Sequence, residues 1–438
     1  MESLGGDMKI QEAMRLGTSQ DVYYYTSSSM HKQSIPTLVN NRFFQDLTSK
    51  IGSSSFIISP NEGLTDVILG AVLPVQGVAG VDYTGLALPR GYLYKAINRI
   101  SVRYAGSSTY FQTGDQIMIQ NLREASNPST KDAMFELGGA PMVLLSEFAG
   151  SNLESYAYIN LPHNSPQCGT ERVLPFPSEL LNSPIVITIE LNPLQSLFSS
   201  NDGDLTGAPT QFDQIYFQVK QVNAVDRGQL MKMGEGKAYS FPLKAFYQQE
   251  VIVRVGSRQT VPTVGKVPYN VQLTGFRNGE VRSIFFWITR DKDTDPAPAA
   301  AGVPVVKNFT NFVLPTDVQL QYNGSVYYRA RGAASQMFSL LNSDIPATLN
   351  CTALSVAGTV GAYTLAKTGV LANWTDIQFS QVFEKLSGSS MYISGLPIRS
   401  SVVSLDLSLP DNDAYTLHFV YSYNAVMMLS GGSAEFVF

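Results

Sequence analysis

Little in this chain suits it to catalysis or to covalent cross-linking. Its 438 residues include two cysteines, three histidines and two tryptophans. Cys168 and Cys351 fall in different halves and cannot build a disulfide framework, so two free, buried thiols in a reducing compartment are expected. His31, His163 and His418 are far apart and lack metal-ligand spacing; His418 reads as a packed core or interface histidine. Charged residues are sparse at 15%, the net charge is −5, and no basic block occurs. That balance speaks against direct nucleic-acid binding. It also suggests that much of the surface is meant to be covered, because monomers rarely expose large apolar patches. The most apolar run, 67–81, is broken by Pro74 and Gln76 and is too short to span a bilayer as a helix. The N-terminal residues hold Glu2, Asp7 and Lys9 without an apolar core, so no secretory leader is expected.

The usual signatures of an active site are missing too. There is no G-x-S-x-G elbow. Gly234-Glu235-Gly236-Lys237 lacks phosphate-loop spacing and a following Ser or Thr. Asp291, Asp293 and Asp295 start like a calcium loop, but Pro296 takes the place of its glycine and Gly302 that of its closing glutamate. Asn201-Asp202-Gly203-Asp204 is explained by turn chemistry. No pair of carboxylates stands out for glycoside hydrolysis. No catalytic, cofactor-binding or metal-binding residue is assigned, and the chain is expected not to be an enzyme. Of four Asn-x-Ser/Thr sites, at Asn308, Asn323, Asn350 and Asn373, the second is accounted for by a turn, and the sequence leaves open whether any is glycosylated.

What is present is a repeat. Ile100-Ser101-Val102-Arg103-Tyr104-Ala105-Gly106-Ser107 leads on to Tyr110 and Gly114. Val318-Gln319-Leu320-Gln321-Tyr322-Asn323-Gly324-Ser325 leads on to Tyr328 and Gly332. The offset is 322 − 104 = 218, close to half of 438. Across 100–122 and 318–340 six positions are identical: the pairs at Tyr104, Gly106, Ser107, Tyr110, Gly114 and Leu122. Composition alone gives about one or two. In each copy apolar and polar residues alternate as in a half-buried strand, and a glycine follows two residues after the tyrosine. Asn323-Gly324 predicts a tight turn with positive φ at both centre residues. A second aromatic strand follows, then a short segment of helical character. Two β-domains of one type, produced by duplication, are expected.

Residues 1–30 read as an arm, with a short amphipathic helix over 8–16 capped by Asp7. Strand signals begin at Ile35, and Phe56-Ile57-Ile58 and Val67-Ile68-Leu69 look like runs buried between sheets. A loop-rich stretch covers 125–170. Ile185-Val186-Ile187-Thr188-Ile189-Glu190-Leu191 is the strongest strand by β-branching, and Ile215, Phe217 and Val219 alternate in the last strand of this half. The polar segment from Asp226 to Ser240, with three glycines, is the expected link. In the second half, Val251-Ile252-Val253 and Ser283-Ile284-Phe285-Phe286-Trp287-Ile288 read as strands. Loops are expected over 291–304 and 345–375, and closing strands over 402–409 and 416–428. Strands at regular spacing with matching interruptions indicate sandwiches rather than a βαβ sheet.

The C-terminal segment Tyr423-Asn424-Ala425-Val426-Met427-Met428-Leu429-Ser430-Gly431 resembles, in register, the closing Tyr-Asn-x-Leu-Arg-Ile-x-Ser-Gly of double jelly-roll major capsid proteins. These are the shell proteins of nucleocytoplasmic large DNA viruses, virophages, Polinton-type elements and, as hexons, adenoviruses. Met427 departs from that pattern, where those proteins often carry arginine. Further landmarks fall in the same order: 97–122, then Leu174 to Pro177 with Leu180-Leu181, then the Tyr216 strand closing on Asp226-Arg227. The resemblance spans nearly the whole chain. It implies an all-β protein of two tandem eight-stranded antiparallel jelly rolls with short helices and long loops. The divisions it suggests are an arm at 1–30, jelly rolls at 31–228 and 243–438, and a linker at 229–242. It implies a homotrimer with a pseudo-hexagonal outline, tiling an icosahedral virion shell of a double-stranded DNA virus and assembled in the host cytoplasm or nucleus. Partners would be neighbouring capsomers, minor capsid or penton proteins, and an internal membrane met through residues 1–30. The long loops would form towers and clasps. The alternative is a tandem β-sandwich lectin, with Tyr23-Tyr24-Tyr25 or Trp374 as aromatic platforms. A sandwich glycosidase and a penton-type shell protein are the other rivals; the duplication argues against the latter.

Overall fold

The computed structural model describes residues from Ile35 onward, outside 42–51, 59–62, 74–85, 125–142, 145–152, 163–175, 223–238, 257–266, 295–304, 335–347, 357–362, 384–390 and some shorter gaps. The expected arm at 1–30 lies outside the described residues.

Eight strands make the two main sheets of the first half: β1 (Ile35–Asn41), β2 (Gly52–Ile58), β3 (Gly63–Leu73), β4 (Ile97–Arg103), β5 (Tyr110–Gln112), β6 (Leu153–Tyr158), β7 (Ile185–Leu191) and β8 (Gln214–Val222). They form two antiparallel sheets, β1-β8-β3-β6 and β2-β7-β4-β5. The second half repeats this with β9 (Val251–Val255), β10 (Val267–Leu273), β11 (Glu280–Arg290), β12 (Asp317–Tyr322), β13 (Ser325–Arg331), β14 (Trp374–Gln378), β15 (Val403–Leu409) and β16 (Tyr415–Tyr423). Its sheets run β9-β16-β11-β14 and β10-β15-β12-β13. The two strand orders coincide, and each is that of an eight-stranded jelly roll, in which the chain passes back and forth between facing sheets. The repeated sequence unit occupies the same place in both, as the β4–β5 and β12–β13 pairs.

Alternation explains most of these strands. In β7, Ile185, Ile187, Ile189 and Leu191 are buried while Val186, Thr188 and Glu190 are half-buried. In β15, Val403, Leu405, Leu407 and Leu409 turn inward in the same way. In such strands one side meets the core and the other is left open. The run at Phe56 follows this rule rather than the expected full burial: Phe56 and Ile58 are buried, but Ile57 points out and is 60% exposed. Strands β11 and β16 differ, being buried on both faces over most of their length. The loop expected over 345–375 contains a two-stranded antiparallel ribbon, Thr348–Val356 with Tyr363–Leu371, and the start of β14. The closing run 416–428 is split, because after β16 the chain turns into a hairpin, β17 (Val426–Ser430) and β18 (Ser433–Val437).

The expected tight turn between β12 and β13 is present, with φ of 49° at Asn323 and 79° at Gly324. In the first copy the strand leads instead to Gly106, φ 74°, and the Ser107 amide closes the turn on the Tyr104 carbonyl at 2.9 Å. Two helices follow from the same sequence logic. The short α1 (Tyr92–Ala96) buries Tyr92, Leu93, Tyr94 and Ala96. The longer α2 (Gly114–Glu124) buries Ile117, Met118, Ile119 and Leu122, and Thr113 caps it by accepting the Gln116 amide at 3.2 Å.

Two outcomes follow from the packing around these helices. A Cβ at Gly114 would lie 1.8 Å from the Tyr94 carbonyl oxygen and 2.7 Å from that of Ile97, both rigid backbone. Gly114→Ala is expected to cost about 4 kcal/mol, the upper range for single substitutions. Gly324→Ala meets no atom within 4 Å and should cost about 1 kcal/mol, from its positive φ alone. Denaturant unfolding of both variants checks this, and equal losses would contradict it. Separately, burial raises the Tyr92 and Tyr94 hydroxyls to about 12, although each also makes a side-chain hydrogen bond, to Ser155 and Asn121. The unfolded chain ionises these groups near their ordinary value of 10.0, so it releases protons first as pH rises. Melting temperature should therefore hold up to about pH 10 and fall between there and pH 12; a flat profile across that window would refute the assignment.

Candidate functional site at the seam between the halves

The double burial of β11 and β16 has a structural cause. Their sheet, β9-β16-β11-β14, rests one face on its own core and the other on the first half. The first half meets it with α2, Thr113 and Tyr110. Arg123, near the end of α2, donates through Nε to Asp376 Oδ2 on β14 at 2.7 Å, and its Nη1 reaches the Tyr247 hydroxyl at 3.0 Å. The Asp376 side chain is 0% exposed and the guanidinium sits 4.9 Å from the centre of the Phe285 ring. At the other end of the helix, Gln116 fastens two backbone groups: its Nε2 donates to the Gln248 carbonyl at 3.0 Å and its Oε1 accepts the Glu250 amide at 3.1 Å. Thr113, while capping α2, donates its own hydroxyl to Glu250 Oε1 at 2.8 Å.

Glu250 also faces His418. Its Oε2 lies 3.3 Å from His418 Nδ1, and His418 Nε2 lies 3.3 Å from the Thr289 hydroxyl. This hydroxyl–imidazole–carboxylate row has the order of a nucleophilic triad. Its surroundings are those of a structural element. All three side chains are buried, and the Trp287 ring stacks on the imidazole at 4.9 Å with an interplanar angle of 3°. Thr289 is 3% exposed, so its hydroxyl is shielded by the residues around it. The row satisfies buried polar groups at the centre of an interface.

The C-terminal hairpin forms the second part of the seam. Although it follows β16 of the second half, it packs on the first. The Ala434 amide donates to the Ala105 carbonyl at 2.7 Å, and Asn182 gives its backbone amide to Gly432 and its side-chain amide to Gly431, at 2.8 and 2.9 Å. Phe436 stands edge-on to Tyr104 and Phe246, at 6.0 and 5.0 Å between ring centres. A further strand, Tyr239–Pro242, pairs with β17, so the segment between the halves is tied into the same small sheet. The closing motif therefore acts at the seam. Tyr423 donates to Gln248 Oε1 at 3.0 Å and accepts the Arg277 amide at 2.9 Å. Met427 is fully buried between the strands that flank it; an arginine in its place would need a buried partner.

Other sequence candidates lie elsewhere. His31, His163, Cys168, Asp295, Asn373, Gly234 to Lys237 and the tyrosines at 23–25 are outside the described residues. Cys351 and Asn350 sit in the ribbon strand Thr348–Val356. Asp291 opens a one-turn helix, Asp291–Thr294, and accepts the Thr416 hydroxyl at 2.7 Å. The Asp293 carbonyl accepts the Asn308 amide at 2.8 Å. Trp374 is 3% exposed in β14, which removes it as a surface platform. Among the described residues no cluster of His, Cys, Asp and Glu is arranged to hold a metal, and no helix is long and apolar enough to cross a membrane. Sequence reasoning missed the seam polar groups. Arg123, Gln116 and Glu250 look like ordinary surface residues until the halves are brought together.

Several solved structures share this architecture over nearly their whole length. The fitted crystal structure of VP54 of PBCV-1 aligns over 94% of this chain and 99% of its own, with 11% identity and a TM-score of 0.59. The quasi-atomic PBCV-1 capsid gives the same values. A protein of the Sputnik virophage aligns over 95% of this chain and 91% of its own, with 12% identity and a TM-score of 0.54. No family model and no curated protein sequence matches the chain. The likeness over nearly full length establishes the double jelly-roll fold, as the repeat and the closing motif led us to expect.

The Arg123–Asp376 pair should be the most sensitive point of the seam. Removing one partner of a buried pair strands the other charge, at a cost of about 3–5 kcal/mol. Arg123→Ala should lose that much in denaturant unfolding, while the double variant Arg123→Ala/Asp376→Ala should recover part of the loss. A double variant worse than the sum of the single ones would contradict the pairing.

Proposed function

We propose that this protein is a viral major capsid protein that trimerises into pseudo-hexagonal capsomers tiling an icosahedral shell. The observation that carries this reading is the presence of two jelly rolls of identical strand order in one chain, locked by a buried seam. Such a chain is a rigid pair of similar wedges. Three pairs supply six wedges around one axis, so a closed three-fold assembly presents a near-hexagonal outline. Sparse charge and apolar side chains left outside, such as Ile57, Ile252, Val326, Tyr327 and Val402, suit a surface that other copies cover.

In this reading the protein is structural, not enzymatic, and resides in the virion of a double-stranded DNA virus after assembly in the host cytoplasm or nucleus. Jelly rolls at 31–228 and 243–438 are joined by a linker at 229–242. The arm at 1–30 meets minor capsid or penton proteins or an internal membrane on the inner side. The loops at 125–170, 291–304 and 345–375 form towers and clasps. The lectin alternative loses Trp374 as a platform, because that ring is buried.

Light scattering on the purified protein tests the reading. Three chains of 47.8 kDa, about 143 kDa in all, should persist on dilution. A monomer at every concentration would overturn the capsomer.

A further inference from the structure

The dipeptide Asn-Gly occurs twice in the sequence, at Asn278-Gly279 and Asn323-Gly324. Asparagine is a chemically labile residue, and most so before glycine, which has no side chain to keep its backbone nitrogen away from the neighbouring carboxamide. The structure treats the two pairs differently. Asn278 is exposed, and among the described residues no group holds its amide. Gly279 behind it packs on Phe438, where a Cβ would stand 2.9 Å from the phenylalanine Cβ.

Asn323 is held on three sides. Its Oδ1 accepts the Val402 amide at 3.0 Å, its Nδ2 donates to Ser401 Oγ at 3.3 Å, and its backbone amide donates to the Val402 carbonyl at 2.9 Å. Ser401 donates in turn to the Tyr322 hydroxyl at 2.8 Å, which donates to the Pro397 carbonyl at 3.1 Å. Gly324 completes the setting. Tyr322 pairs with Ser325 to close the hairpin, so the Gly324 amide stands outside the ladder. A Cβ on Gly324 would meet nothing within 4 Å, and both turn residues are exposed. Asn323 is also the one non-glycine residue among those described with a positive φ, 49°, a conformation held at some cost. The first copy of the repeat has Ala105 in this place, 5% exposed, and its carbonyl accepts the Ala434 amide at 2.7 Å. One turn of the duplicated pair is used at the seam. The other carries a polarised carboxamide at the surface.

We propose that Asn323 is a self-modification site, converted to aspartate and isoaspartate with the help of its own turn. The Gly324 backbone nitrogen attacks Asn323 Cγ, and the new C–N bond closes a cyclic imide. The Cγ–Nδ2 bond breaks, and ammonia leaves with the proton given up by the Gly324 amide. Water then opens the imide at either carbonyl. The Val402 amide stands where negative charge develops on the carboxamide oxygen, as donors do in an oxyanion site. Ser401, backed by Tyr322, is placed to hand a proton to the departing nitrogen. The product puts a carboxylate at the corner where Val402 and Val326 are exposed. Isoaspartate also lengthens the turn and loosens its stitch to Ser401 and Val402. This surface therefore changes with the age of the molecule, whether or not the chain forms a capsomer.

Peptide mapping by mass spectrometry tests this on the full chain, aged at neutral and at mildly alkaline pH below the melting temperature of each variant. Asn278 serves as the internal reference. Asn323 should convert several-fold faster than Asn278. Ser401→Ala should slow conversion at 323 by about tenfold, short of the roughly 100-fold or more of an ideally placed acid because 3.3 Å is a long contact. It should leave Asn278 unchanged. Ser401→Thr, which keeps the hydroxyl, should keep the natural rate. An Asn323 that outlasts Asn278, a Ser401→Ala rate equal to or above the natural one, or a Ser401→Thr rate as low as that of Ser401→Ala would overturn the proposal.

Discussion

One sheet sandwiched on both sides holds this molecule together. Sheet β9-β16-β11-β14 serves as a wall of the second jelly roll and as the floor on which the first one sits. Burial of its outer face removes Trp287, Trp374, Phe285 and their neighbours from water, and such apolar area is worth roughly 25 cal/mol per Å². Apolar contact alone would let the halves slide. The polar contacts set among these rings fix the register, because a displaced Arg123, Glu250 or Asp376 would be a buried group without its partner. The seam is thus both adhesive and specific, and it holds the two similar domains in one register.

The C-terminal hairpin reinforces this arrangement. It leaves the second half, crosses to the first and pairs on the way with the strand Tyr239–Pro242. Three segments distant in sequence meet there: the turn after β4, the stretch between the halves, and the closing motif. The same residues that gave the motif its likeness to capsid proteins, Tyr423 and Gly431 among them, are those that bind the halves. In the proposed capsomer reading, such a seam would matter because freedom between the two units would blur the outline of the assembly.

Much of the fold was legible in the sequence, and the reason lies in alternation. Val403 to Leu409 and Ile185 to Leu191 announce themselves because one side of each strand faces water. The Asn323-Gly324 turn was equally plain, since few residues tolerate positive φ. Ile57 was misread because a three-residue apolar run hides its own alternation. The seam was not legible at all. Strands buried on both faces lose their period, so Ser283 to Ile288 reveals burial without revealing what covers it. Arg123 and Asp376 are 253 positions apart, and no local pattern joins them. His418 alone was anticipated as a packed histidine, from its place within a strand.

Imaging the purified protein by electron microscopy tests the central claim most directly, because it shows shape rather than mass. Two locked wedges per chain predict six-lobed particles of near-hexagonal outline with three-fold symmetry, each lobe the size of one jelly roll. Isolated two-lobed particles, or rings with another number of lobes, would contradict the account.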